Sequence, residues 1–276
     1  MTNDIKKEGN EMKFLRLATI AALTTTALAG GVSAFAEEAR EVTTDGQVEF
    51  VPNDSDETIV EPTEPDEPDV TIPPVGPPGQ TGPLTIAYAP TLDFGQQVIS
   101  NQDQAYNLVA EMQQLTGTEG EENKVPYVSP AQVQDTRGTN AGWDLRVTLS
   151  DFTAEDTQND TLTGSRIEFR SPRLQYNGNN PDNAPAVHAN GLMLEAGGDA
   201  QSVLSAAQST GAGTSSVVWG DQSDLNAQFA DEETEVVENE FIRLHVPGAT
   251  VKDAAMYTAT LDWELNDVPG STGETR

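Results

Sequence analysis

The chain has no cysteine and little positive charge: 14 Lys and Arg stand against 45 Asp and Glu in 276 residues, a formal net charge of −31. Without cysteine there is no disulfide framework, no thiol nucleophile and no thiolate-held zinc or iron–sulfur site. Without a basic excess, nucleic acid is excluded as a partner, because the surface field repels polyanions. Histidine is scarce as well, with only His188 and His245. No G-x-S-x-G motif accompanies them, so a Ser-His-Asp hydrolase has little to build on. Apolar residues make up 36% of the chain, against a usual share of about 45–50%. That deficit fits a globular core diluted by a polar, disordered portion.

What is present begins with an address. Met12-Lys13-Phe14-Leu15-Arg16 opens a short basic region, and an apolar, small-residue run follows from Leu17 to about Gly31. It closes on Ser33-Ala34-Phe35-Ala36, with Ala34 and Ala36 in an A-x-A arrangement. This is the layout of a secretory signal peptide over residues 1–36, with Met12 as the expected true start and cleavage after Ala36. The run is interrupted by three threonines and is too short for a bilayer, which takes roughly 20 apolar residues. The mature chain is therefore expected to be exported, with no membrane span.

Residues 37–83 read as a disordered, acidic, Pro/Gly-rich linker. Residues 37–72 carry thirteen acidic side chains and one basic one, and nine of the seventeen prolines lie between Pro52 and Pro83. Like charges repel, Pro opposes helix and interior strand, and too little apolar surface is available to offset the entropy of ordering. An extended spacer of about 3 Å per residue is expected.

Residues 84–276 read as the folded domain, and their pattern has period two. Residues 143–150 and 257–265 alternate apolar and polar without a break, and residues 242–246 form a third run. Shorter candidates are 84–88, 98–99, 167–170 and 217–219. Such alternation marks half-buried strands. Turn signals at Asn177–Asn183, Gly197-Gly198, Pro247-Gly248 and Pro269-Gly270 separate them. Short helices are expected only at 199–208 and 223–233. The fold class expected is all-β: an antiparallel β-sandwich with long polar loops.

Two W-x-L tripeptides lie 120 residues apart, Trp143-Asp144-Leu145 and Trp263-Glu264-Leu265. The second sits in a longer pattern, Tyr257-xxx-Leu261-x-Trp263-x-Leu265-xxx-Pro269. In a strand, alternate residues share a face. Tyr257, Leu261, Trp263 and Leu265 therefore point one way and Glu264 the other. Trp143 and Leu145 likewise share a face, with Asp144 opposite. Each Trp is read either as core, burying on the order of 200 Å², or as part of an exposed stripe that docks on glycan or partner. Periodicity does not separate the two.

Together these motifs resemble the signature of the WxL domain, a C-terminal surface module of low-GC Gram-positive bacteria, over about 84–276. Leu92-Asp93-Phe94-Gly95 and the acidic, Pro-rich lead-in resemble the same family. The resemblance implies non-covalent attachment to cell-wall peptidoglycan and assembly with WxL-interacting surface proteins. It extends, as a further option, to a host extracellular-matrix target. The motif residues Trp143, Asp144, Leu145, Tyr257, Leu261, Trp263, Glu264, Leu265 and Pro269 are the candidate wall- or partner-binding positions.

No catalytic residue, metal site or cofactor is expected. The acidic stretches 155–160 and 231–233 do not fit the spaced calcium loop and read as solvated. The competing reading is a secreted cell-wall-active or carbohydrate-active enzyme working through carboxylates, which are too numerous for any pair to be singled out.

Overall fold

The computed structural model describes residues 47–52, 60–64, 68–74, 82–178 and 180–268. The expected signal peptide lies outside them, as does Pro269. Every described element belongs to one unit, Val48–Arg276. No helix among the described residues is long and apolar enough to cross a membrane.

In chain order the strands are β1 (Val70–Thr71), β2 (Leu84–Tyr88), β3 (Gln104–Val109), β4 (Glu111–Leu115), β5 (Lys124–Tyr127), β6 (Ser129–Asp135), β7 (Trp143–Leu149) and β8 (Arg166–Phe169). Then come β9 (Arg173–Tyr176), β10 (Ala186–Val187), β11 (Leu192–Glu195), β12 (Gln201–Ala206), β13 (Gly213–Trp219), helix α1 (Gln222–Ala230), β14 (Glu238–Val246) and β15 (Leu261–Asn266). The all-β expectation holds. The simple two-sheet sandwich does not, because the strands fall into four separately bonded sheets. Their orders are β1-β4-β5, β2-β6-β13-β9, β11-β8-β14-β3 and β10-β12-β7-β15.

The reason lies in the β2-β6-β13-β9 sheet, which is covered on both sides. Its strands β6 and β13 are buried at nearly every residue. On one side Ala131, Val133, Val217 and Trp219 join the main core. That core is completed by Trp143, Leu145 and Val147 of β7, Val203 and Leu204 of β12, Ile167 and Phe169 of β8, and Ile242 and Leu244 of β14. On the other side Val218 joins a second core with Val70, Ile72, Ala87, Tyr127, Val128 and Leu225. A sheet buried on both faces needs a third layer, and β1-β4-β5 with α1 supplies it.

Two stretches of the segment expected to be a linker are part of that third layer. Val70 pairs with Leu115 and Thr71 with Gln114. Val60, Val70 and Ile72 are 6%, 2% and 4% exposed. The apolar residues between the charges are too sparse to form a core alone, but each one fills a space on an existing core.

Helix α1 matches the 223–233 expectation. Asp221 caps it by accepting from the Ser223 amide at 2.9 Å and the Ser223 hydroxyl at 2.6 Å. That hydroxyl bond holds the Asp221 carboxyl below its ordinary range. Gln222 anchors the helix, accepting from the Val128 amide at 3.1 Å and donating to the Pro126 carbonyl at 2.8 Å. The 199–208 helix expectation is corrected: residues 201–206 are strand β12, paired along β7. Helix-favouring Ala and Leu there are overridden by ladder pairing and by burial of Val203 and Leu204 on the core. Val98 and Ile99, expected in a strand, stand 88% and 55% exposed outside any element.

Candidate functional site

The two W-x-L tripeptides open β7 and occupy the centre of β15, and these strands are antiparallel neighbours. Leu145 lies directly opposite Leu265, Val147 opposite Trp263 and Leu149 opposite Leu261. The motifs are therefore one structure, a cross-strand ladder of large apolar side chains on a single face. Asp144, Arg146 and Thr148 oppose Asn266, Glu264 and Asp262 on the other face.

The two tryptophans differ in burial. Trp143 is fully buried, and its indole Nε1 donates to the Gly211 carbonyl at 3.0 Å. Gly211 sits at φ +76°, and a Cβ there would lie 2.7 Å from the Trp143 Nε1. The close approach thus needs glycine. Trp263 is half-buried and packs against the rim of the same core from β15, at the end of its sheet. Glu264 is exposed. Asp144, expected on the solvent face, is only 6% exposed. It accepts from the Ser202 hydroxyl and lies 3.8 Å from the Arg146 guanidinium. Strand β12 covers it, which the pattern of β7 alone did not reveal.

Tyr257 precedes β15 and ties two loops together. Its hydroxyl donates to the Asn159 carbonyl at 2.6 Å and accepts from the Asp253 amide at 2.9 Å. The half-buried Asp253 carboxylate accepts from the Asn159 amide and side chain and from the Gln158 amide, each at 2.9 Å. These bonds lower its pKa, the Asn159 amide first. The acidic 155–160 stretch is thus clamped to 253–257 by backbone and amide groups. Among the described residues no group of three or more His, Asp or Glu side chains is placed to hold a metal ion.

Both histidines are engaged with partners other than a nucleophile. His245 Nε2 lies 2.9 Å from Glu168 Oε2. His188 Nε2 lies 2.9 Å from the indole Nε1 of Trp219, which can only donate, so that His nitrogen accepts. Nδ1 then carries the proton and donates to the Ala189 carbonyl at 2.7 Å. The imidazole stands beside the Trp219 and Phe169 rings, with centroids at 5.7 and 6.3 Å. Burial pushes the His188 pKa below its ordinary 6.5. Its protonation therefore opposes folding: the unfolded chain binds the extra proton first. The His188 contribution is intact above about pH 6.5 and falls as pH drops through that value toward the lower folded pKa. Urea midpoints at pH 7.5 and 5.5 are expected to differ less in H188Q than in the wild-type chain.

A family model described as "WxL domain surface cell wall-binding" matches residues 37–269. The chain belongs to the WxL family. The match takes in the two docked lead-in stretches as well as both W-x-L strands. No curated protein and no solved structure matches the chain. Membership associates this WxL protein with the cell surface and with cell-wall binding.

The Trp143 indole lies in the core and Trp263 lies at its rim, so only the distal motif presents aromatic surface at a sheet edge. Nothing in the sequence pairs Trp219 with His188. No spacing rule links residues 31 apart, and only the fold brings β13 to the start of the β10–β12 connection.

Proposed function

We propose that this chain is a secreted WxL protein that attaches non-covalently to Gram-positive peptidoglycan and assembles there with WxL-interacting surface proteins. Family membership over residues 37–269 carries this reading. The paired W-x-L ladder supports it as a scaffold, with Trp143 locking β7 in the core and β15 offering Trp263 at an open edge. The acidity of the chain adds a constraint: attraction to anionic wall polymers through net charge is excluded, so attachment rests on hydrogen bonds, apolar stacking or bridging cations.

The test is co-sedimentation of the mature chain with purified peptidoglycan sacculi, with and without the accessory surface proteins. Retention in the pellet, insensitive to moderate salt, is expected. Absence from the pellet under both conditions would remove the wall-binding reading, and release of soluble muropeptides would replace it with an enzyme. A host extracellular-matrix target is tested separately, by binding to immobilised matrix protein.

A further inference from the structure

The face of the β2-β6-β13-β9 sheet that is turned away from the main core carries a row of polar side chains. Ser216 of β13 is directly opposite Gln132 of β6 on one side and Gln175 of β9 on the other. Directly opposed residues share a face, so the three form one line across the sheet. Thr214, two residues before Ser216, lies on the same face. Polar side chains in this position are costly unless each finds a partner.

Gln132 is fully satisfied. Its Oε1 accepts from the Glu61 amide at 2.9 Å, and its Nε2 donates to the Glu61 carbonyl at 2.8 Å and the Ser216 hydroxyl at 3.0 Å. The lead-in backbone is therefore read by the Gln132 amide much as a neighbouring strand would read it. The Glu61 carboxylate in turn accepts from Asn177 at 2.7 Å and from the Thr214 hydroxyl at 3.2 Å. Gln175 is the exception. Its Oε1 is buried and has no hydrogen-bond partner.

A cavity of about 270 Å³ lies at this place, lined by Gln175, Gln132, Ser216, Thr214, Glu61 and Asn177 among others. We propose that it is a saccharide subsite that takes one uncharged sugar ring of the wall glycan, with a ring hydroxyl or acetamido N–H donating to Gln175 Oε1. The proposal rests on the wall-binding reading and places the glycan contact away from the W-x-L strands.

The lining selects this ligand class by elimination on chemistry. An anion would face Glu61 and the acidic domain around it. A cation would meet one carboxylate, already accepting two hydrogen bonds. An apolar group would leave the buried Gln175 carbonyl stranded without a donor. A polyol brings several donors to a wall of carbonyl, carboxylate and hydroxyl oxygens. The volume is below the roughly 300–1,000 Å³ of drug-sized pockets, a size for a ring and not for a chain.

The probe is a soluble N-acetylglucosamine tetrasaccharide, titrated into the ¹⁵N-labelled mature chain, with Gln175→Leu and Thr214→Val as variants. Gln175→Leu keeps the size of the side chain and removes the orphaned carbonyl, so folding is expected to be unharmed. Saturable amide shifts confined to 175–177, 214–216 and 61 are expected in the wild-type chain. Gln175→Leu is expected to weaken them by about tenfold or more, the equivalent of one lost hydrogen bond to a buried group. Thr214→Val, which frees one side of Glu61, is expected to weaken them less. Shifts absent from these residues, or equal affinity in Gln175→Leu, would overturn the subsite. So would shifts produced by a wall stem peptide and not by the sugar. Sedimentation with sacculi separates the two readings. A wild-type chain that pellets while the cavity ignores the sugar leaves wall binding standing and removes the subsite.

Discussion

Replacing Trp143 with alanine is expected to cost about 3–5 kcal/mol of folding stability, the range for emptying a large aromatic site in a packed core. The expectation follows from position. Trp143 has no exposed surface, is packed against a glycine that leaves no room for a Cβ, and holds the Gly211 carbonyl by its indole N–H. Alanine leaves a cavity and also strands that buried carbonyl. Trp263 occupies the matching place in the second tripeptide, yet it is half-buried on the last strand of its sheet. W263A is expected to cost roughly 1–2 kcal/mol, since less area is lost from the core and water can fill the space. Urea denaturation followed by circular dichroism measures both. Equal losses in the two variants would contradict the asymmetry. The fluorescence of W143F and W263F checks it from another side: removing Trp263 should take away the redder part of the emission, and removing Trp143 should not.

This difference between two tripeptides of one W-x-L pattern marks how far the sequence is legible. Alternation located β7, β14, β2 and most of β15, because a half-buried strand writes its faces into every second residue. It could not say which strand was central. Trp143 lies on β7, flanked by β12 and β15, whereas β15 has β7 as its sole neighbour in the sheet. Lateral position in a sheet leaves little trace in a strand's own pattern. The centre of the β2-β6-β13-β9 sheet is legible only at 217–219, for a related reason. Residues 129–135 and 213–219 are buried on both faces, and one face is filled by Ser, Thr and Gln paired with the lead-in. Hydropathy reads such a strand as a polar loop. The same blindness hid the Gln175 cavity, where no residue is unusual in type and only the missing partner is informative. The distal motif was recognised by its spacing, but its work on the loops, through the two hydrogen bonds of the Tyr257 hydroxyl, needed the chain path between residues 159 and 253.

Removing the lead-in is expected to destabilise the domain strongly, although its composition predicts a dispensable tether. The comparison is between the mature chain and a version beginning at residue 75, with I72A as a point variant that keeps the chain length. Three apolar side chains of the lead-in are buried, Val60, Val70 and Ile72, and full burial of such a residue is worth about 1.5–3 kcal/mol each. Their loss uncovers Val218, Tyr127 and Val128 on the second core. It also leaves the buried Gln132 amide without the Glu61 backbone, and the Tyr127 hydroxyl without the Glu64 amide that donates to it at 2.8 Å. The Arg173 pair with Glu64 goes too, but that ion pair is partly exposed and contributes little. I72A is expected to cost about 2–5 kcal/mol, and the truncated chain several kcal/mol more than that, approaching the whole stability of an ordinary domain. Unchanged urea midpoints for both would mean that the lead-in is a spacer after all. A fall in both would agree with a family match that takes in the lead-in, because Val60, Val70 and Ile72 close the second core from outside the residues expected to fold.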